Sequence, residues 1–384
     1  MTANAYIFLS DIHIGINDKT SWYQKTVHEN NLKAILRYIQ NNAQRIQDLV
    51  ILGDWFDLWT YPPSDQPPQL MDIFNANQAV FSTQSDQSGD FITCLNSIQG
   101  DFHYINGNHD LTVSCDDINR CFENYGAKDR KIVGNPNPRE NIIYKAGDIY
   151  ALHGHEPYSL FCRPDDEDSR YEALPLGYFI SRTVGKICEQ KLDTEHKANA
   201  ALLPDSGNPV FSVEAAAFGL KHLVELASGK ETFAQALLYA LVDRTGMSPE
   251  KVEYTLYDGS TQTAPQAAEL FSKLSITNEE DFHAMVNDAT NTLSTPAAKL
   301  RQAGHKVVIM GHTHVPELMK SGIADTRGIY ANSGFNCPDQ PGMKDGKLFP
   351  TFIEVEKNGS GCSVHLQKVD YPLETVSTLH TETI

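Results

Sequence analysis

Five apolar runs in this chain each stop at an aspartate, asparagine or histidine, usually beside a glycine, and that recurrence limits what the chain can fold into. "FLSDIH" ends in Asp11 and His13, and "VILGDWFD" in Asp54 and Asp57. "YINGNHD" ends in Asn108, His109 and Asp110, "YALHGH" in His153 and His155, and "VIMGHTH" in His312 and His314. Short apolar runs of this length read as buried strands. In an α/β sheet, strand ends lie side by side along one edge, so these side chains would converge there. Gly53, Gly107, Gly154 and Gly311 permit tight turns and close backbone approach at that edge. Taken singly, an Asp or Asn after a strand is a common turn former. Five such endings together point to a metal site. Carboxylate, imidazole and amide oxygen suit Mn²⁺, Fe or Zn²⁺, and the ligand count exceeds one tetrahedral ion. Two adjacent metals sharing a carboxylate would use the set fully.

Between these runs the first half alternates strand and helix. "AYIFLS", "DLVILGD" and "DFHYINGN" read as strands, "ENNLKAILRYIQNNAQ" and "FITCLNSIQ" as helices, which predicts an α/β layered fold. From about Tyr158 to Ala298 the pattern is mostly helical: "VEAAAFGLKHLVELA", "ETFAQALLYALVDRTG", "APQAAELFSKL" and "DFHAMVNDATNTL" space apolar residues by three and four. Ser248-Pro249, Thr263-Ala264-Pro265 and Thr295-Pro296 read as helix starts. Strand character returns at "KVVIMGH" and "GIYANSG". "TFIEVEKNGSGCSVHLQKV" reads as a hairpin about Asn358-Gly359. The expected division is a core of residues 1–157 and 301–384 with residues 158–300 inserted as a helical cap.

The five blocks, in this order, resemble the signature blocks of calcineurin-like metallophosphoesterases. The resemblance covers about Ala5 to His155 and Lys306 to Ser333. It implies a two-sheet β-sandwich flanked by helices, with a dinuclear centre at the sheet edge. It also implies that Asp11, His13 and His314 hold one metal, that Asn108, His153 and His312 hold the other, and that Asp54 bridges them. His109 then matches the family's catalytic histidine, and Asp57 would orient it. The implied activity is hydrolysis of a phosphomonoester, phosphodiester or pyrophosphate by attack of a metal-bridging hydroxide. Two metals about 4 Å apart can activate that nucleophile and clamp the phosphoryl oxygens. A histidine beside them can give the leaving oxygen its proton. Mn²⁺ is the first expectation for the metal pair, with Fe or Zn²⁺ as alternatives.

"GDWFDLW" and "LPLGYFISRTVGKI" look most like the UDP-2,3-diacylglucosamine pyrophosphohydrolase branch, although that branch usually carries arginine where this chain has His109. This gives a second reading, a pyrophosphohydrolase acting on a lipid-linked substrate. A third, from another class, is a catalytically silent metal-binding scaffold. Arg163, Arg170 and Arg182 follow the fourth block and are the candidates for gripping a second phosphate. Trp55, Phe56 and Trp59 beside Asp54 read as core packing rather than a substrate platform.

Composition narrows the partners. A formal net charge of −18 argues against a sequence-independent nucleic-acid surface and against strong attachment to anionic membranes. The expected partner is a phosphorylated small-molecule or lipid substrate. No apolar run approaches the ~20 residues that span a bilayer. The N-terminus "MTANAYIFLSDIH" lacks a basic segment followed by an apolar one. Seven scattered cysteines without a CxxC pair read as free thiols in a reducing compartment. The expected location is the cytoplasm, with peripheral membrane contact as the variant.

Overall fold

A computed structural model of the chain describes residues 3–82, 89–127, 130–155, 162, 174–193, 228–272, 297, 300–301, 303–321, 328–335, 350–359, 361–370 and 374–384. In chain order the elements are β1 (Ala5–Leu9), α1 (Lys25–Asn41), β2 (Ile46–Leu52), α2 (Leu70–Ala76), α3 (Gln78–Phe81), α4 (Phe91–Ser97), β3 (Phe102–Ile105) and α5 (Cys115–Asn124). There follow β4 (Ile132–Val133), β5 (Tyr144–Ala146), β6 (Ile149–Ala151), α6 (Leu176–Asp193), α7 (Phe233–Arg244), β7 (Glu253–Thr255), β8 (Thr261–Thr263) and α8 (Ala264–Leu270). The last strands are β9 (Val307–Met310), β10 (Glu317–Ser321), β11 (Gly328–Asn332), β12 (Thr351–Asn358), β13 (Gly361–Asp370) and β14 (Thr375–Thr383).

Two sheets form the centre. One runs β14-β13-β12-β1-β2-β3-β4, the other β10-β11-β9-β6-β5. The strands that carry the five blocks are parallel to their neighbours: β1 with β2 and β2 with β3 in one sheet, β6 with β9 in the other. Alternation along each strand builds the layers. Tyr6 and Phe8 of β1, with Val50 and Leu52 of β2, pack against Ile149, Ala151, Val307 and Ile309 of the facing sheet. Ile7, Leu9, Leu49 and Ile51 point the other way, toward the helices. There α1 presents Leu32, Ile35, Leu36 and Ile39, a single stripe at helical spacing, all fully buried. The fold is therefore the mixed α/β layering that the strand–helix alternation predicts, in the two-sheet arrangement flanked by helices that the family resemblance implies.

The Asn358-Gly359 turn joins β12 to β13 as expected, with Gly359 at φ +63°. Three strands, β7, β8 and β14, depart from the sequence reading. The stretch around Tyr254, read as helical, contains the β7–β8 hairpin. There Val252 and Tyr254 are buried at alternate positions, and Gly259, at φ +80°, turns the chain after Asp258. A terminal strand, β14, adds to the hairpin on the outer edge of the larger sheet. Thr263 caps α8 reciprocally with Gln266, and Pro265 sits in its first turn. The helical readings at residues 213–227 and 281–293, with the start at Thr295-Pro296, lie outside the described residues. The side chains of α6, α7 and α8 bury into the same apolar cluster as the helix-facing side of the larger sheet. No helix among the described residues is long and apolar enough to cross a membrane. The described cysteines, Cys94, Cys115, Cys121, Cys162, Cys188 and Cys362, are all buried.

Candidate metal centre

Because β1, β2 and β3 run parallel, as do β6 and β9, all five blocks emerge at the same edge. Backbone hydrogen bonds lock the endings together. Asp11 N donates to Gly53 O at 3.2 Å, His13 N to Asp54 O at 2.8 Å, and Gly311 N to His153 O at 2.9 Å. Across the sandwich, His312 N donates to Asp11 Oδ1 at 2.8 Å, and His153 Nδ1 lies 2.7 Å from Leu52 O. In that second contact Nδ1–H donates to the carbonyl, which leaves Nε2 as the ligand atom.

The side chains form two groups about one carboxylate. His13 Nε2 and His314 Nε2 are 3.0 Å apart, and His314 Nε2 is 3.9 Å from Asp11 Oδ1. Asn108 Oδ1 is 3.2 Å from His153 Nε2 and 3.0 Å from His312 Nδ1. Between the groups, Asp54 Oδ2 lies 3.5 Å from His13 Nε2 and 3.3 Å from His153 Nε2. Its other oxygen accepts the His109 amide at 2.8 Å. Ligands about 2.0–2.1 Å from one ion sit about 3.0–3.4 Å from each other, the edge of an octahedron or tetrahedron. The contacts at 3.0, 3.2, 3.0 and 3.3 Å match that edge, while His13–Asp54 at 3.5 Å and His314–Asp11 at 3.9 Å are wider. Asp11, His13, Asp54 and His314 have ligand atoms that all lie within 4.8 Å of one another. His13 Nδ1 and His314 Nδ1 are buried without a hydrogen-bond partner.

The backbone is arranged at a cost to make this fit. Asp11, His13, Asp54, His312 and His314 all adopt left-handed conformations, with φ of +55°, +54°, +49°, +70° and +58°. Such conformations cost about 1–3 kcal/mol each and persist where function requires them. A Cβ on Gly107 would sit 2.2 Å from Asp54 Oδ1, so the second and third blocks touch at their backbones. Asp110 staples them. Its carboxylate accepts the amides of Gly107 at 2.8 Å, Trp55 at 2.8 Å, and Asp54 and Phe56 at 3.3 Å each.

Electrostatics divides the imidazoles. Burial, with His109 and His314 nearby, holds His13 well below its usual range. Burial and the adjacent His153 push His312 down to about 3. Both are neutral, the form a metal takes. Burial alone would lower His153, but Asp54 overrides it and raises the imidazole to about 10 in the metal-free chain. A cation entering there takes that proton's place beside Asp54. His109 is also raised against burial, by Asp54 and Asp57, and its Nδ1 sits 3.1 Å from Asp57 Oδ1. Asp57 is fixed in turn by the Trp59 and Thr60 amides at 3.0 and 3.1 Å and by Thr60 Oγ1 at 2.6 Å.

Residues 6–182 match the family model of calcineurin-like phosphoesterases. That stretch, just under half of the chain, is similar to this family. His312 and His314 fall beyond the matched stretch, yet the fold brings them to the edge that carries the other blocks. No curated protein matches the sequence. Among solved structures, zinc-bound Vps29 of Entamoeba histolytica is 10% identical, over 99% of this chain and 98% of that one, with a TM-score of 0.32. An uncharacterised predicted phosphoesterase of Streptococcus pneumoniae is 10% identical over 100% and 98%, with a TM-score of 0.30. GAP50 of Plasmodium, described as the anchor in the inner membrane complex, is 12% identical over 99% and 88%, with a TM-score of 0.35. These likenesses are too loose to carry an argument.

Every side chain read as a ligand lies at the shared edge, as do His109 and Asp57. The phosphate-gripping arginines do not join them. Arg163 and Arg170 lie outside the described residues. Arg182 is fully buried on α6, and its guanidinium donates to the carbonyls of Pro62 at 2.8 Å, Pro63 at 2.9 Å and Asp65. It straps the loop after β2 and does not line the edge. Trp55, Phe56 and Trp59 are buried, as read. The half-buried Trp22 was not legible as part of the site. Its ring lies 4.7, 5.0 and 5.2 Å from those of His13, His109 and His314. Ser10 was missed as well: its hydroxyl reaches both Asp11 Oδ2 and Ser333 Oγ.

Proposed function

We propose that this protein is a calcineurin-like phosphoesterase, a dinuclear, metal-dependent phosphoric ester hydrolase. Asp11, His13 and His314 hold one divalent cation, Asn108, His153 and His312 the other, with Asp54 between them. The observation that carries this reading is the position of Asp54 Oδ2, 3.5 Å from His13 Nε2 and 3.3 Å from His153 Nε2. One oxygen faces an imidazole of each group, near the spacing of two ligands on one ion. Two bound cations would supply Lewis acidity toward the phosphoryl oxygens and a water acidic enough to attack phosphorus.

The chain's own residues do the rest. The neutral imidazoles keep the centre from being over-neutralised by carboxylates. Asp57 holds the Nδ1 edge of His109 and leaves Nε2 to give the departing oxygen its proton. Asp110 keeps the second and third blocks in register. Mn²⁺ is the first choice for the pair, by ligand type. Residues 158–300 are proposed as an insertion into a core of residues 1–157 and 301–384. Hydrolysis of nitrophenyl phosphate mono- and diesters, measured with added Mn²⁺ and after chelation, tests the reading. Metal-stimulated turnover on at least one ester is expected; its absence across both classes would sink it.

A further inference from the structure

His109 is gripped on more than its Asp57 edge. The Trp59 indole stacks on its ring at 4.6 Å between centroids and 28° between planes. Trp22 lies 5.0 Å away at 42°. Trp59 and Asp57 belong to one short loop, so the same backbone supplies both the hydrogen bond and the stacked face. That loop does not stand alone. Tyr178 of α6 meets the Trp59 ring at a right angle, 6.2 Å between centroids. The Tyr178 hydroxyl donates to Thr255 O at 3.0 Å and accepts from Arg182 Nη1 at 3.2 Å. Arg182 then spends its other amino group on Pro62, Pro63 and Asp65, and Thr255 N donates to Pro63 O at 2.8 Å.

We infer that Trp59 is a positioning residue for His109, and that the inserted stretch, through Tyr178 and Arg182, holds Trp59 in place. The inference rests on the hydrolase reading for its kinetic consequence, but not for its geometry. A ring held by one hydrogen bond can still swing about that contact. A flat indole against its face removes the swing, which matters because a misplacement of about 1 Å can cost a factor on the order of 10² in rate. Trp59 touches no reacting atom. Its effect should therefore appear only where His109 must donate a proton, and this separates it from general packing.

The test uses the full chain in two forms. For kinetics, Mn²⁺-loaded Trp59→Leu, Trp59→Phe and Tyr178→Leu are compared with wild type on an alkyl phosphate and on nitrophenyl phosphate. For spectroscopy, the metal-free chain labelled with ¹⁵N in histidine reports the exchange-protected His109 ring proton, assigned by its loss in His109→Gln. Trp59→Leu should expose or broaden that proton. It should lower kcat on the alkyl ester by about tenfold or more, part of the range for a displaced general acid. KM, metal content and nitrophenyl turnover should stay close to wild type. Trp59→Phe should restore most of the loss, and Tyr178→Leu should shift both readouts in the same direction by less. An unchanged ring proton, or equal loss on both esters, would overturn the assignment. If Trp59→Leu does not fold, Tyr178→Leu decides by the same two readouts. If wild type hydrolyses neither ester while the ring proton responds as expected, the hydrolase reading fails and the positioning stands.

Discussion

Replacing Gly107 with alanine probes how tightly the site is built. A Cβ there would sit 2.2 Å from Asp54 Oδ1 and 2.4 Å from Asp54 N, where ordinary contact begins at 3.4 Å. Something must move by about 1 Å. Rotating the carboxylate does not relieve the clash, because the Asp54 backbone is struck as well. The backbone cannot yield freely either, since Asp110 holds Asp54 N and Gly107 N and the His109 amide holds Oδ1. Overpacking of this kind costs about 1–3 kcal/mol, and contact with backbone places Gly107→Ala near the upper end. Metal sites tolerate displacements of about 0.2 Å, so the shift of Asp54 should also reduce binding at both positions. The assay is urea unfolding of the metal-free chain, with metal content measured after loading and dialysis. Gly246→Ala is the control. Gly246 has φ +71° and nothing within 4 Å of a built Cβ. It should lose about 1 kcal/mol from backbone strain and no metal. Full metal content in Gly107→Ala, with stability within about 0.5 kcal/mol of wild type, would refute the close contact.

His28 supplies a pH signature away from the site. It is buried, its Nδ1 accepts the Gln24 amide at 2.8 Å, and burial lowers it from 6.5 to about 4. Between those values the unfolded chain binds the proton and the folded one does not. His28 should therefore cost stability as pH falls from 6.5 toward 4, by about 3 kcal/mol in all. In metal-free protein, the unfolding free energy of His28→Gln should fall less steeply over that window than that of wild type. Parallel curves would contradict the assignment. His109→Ala should keep both metals while slowing turnover by roughly 10²–10⁴-fold. Alkyl esters should suffer more than nitrophenyl ones in steady-state assays, and equal loss would argue for charge stabilisation over proton donation.

What the sequence made legible follows from where the chemistry is written. Asp11, Asp54, Asn108, His153 and His312 each follow an apolar run, and parallel strands put such endings on one edge, so type and position together gave the site. The left-handed backbone at five ligand positions has no comparable signal, because nothing in "GHTH" distinguishes strained from relaxed histidines. Arg182 was read toward a substrate because a charge in a helical pattern shows neither its burial nor its partners, and only the folded loop supplies the carbonyls of Pro62 and Pro63. Trp22 lies in an irregular stretch after "DIHIG", where no periodicity marks a facing side. The β7–β8 hairpin did leave a trace, buried Val252 and Tyr254 before Asp258-Gly259, but it is short and surrounded by helical spacing. Strand β14, "TVSTLHTET", is mostly exposed and polar, so it lacks the apolar face that identifies a strand.

The central claim is that one carboxylate serves two cations. Metal content per chain, measured after Mn²⁺ loading for wild type and for Asp54→Asn, tests it most directly. The geometry predicts close to two metals in wild type and reduced occupancy of both in the variant, because Asp54 Oδ2 faces both His13 and His153. Loss of only one metal with activity near normal, or fewer than one metal bound by wild type, would contradict it.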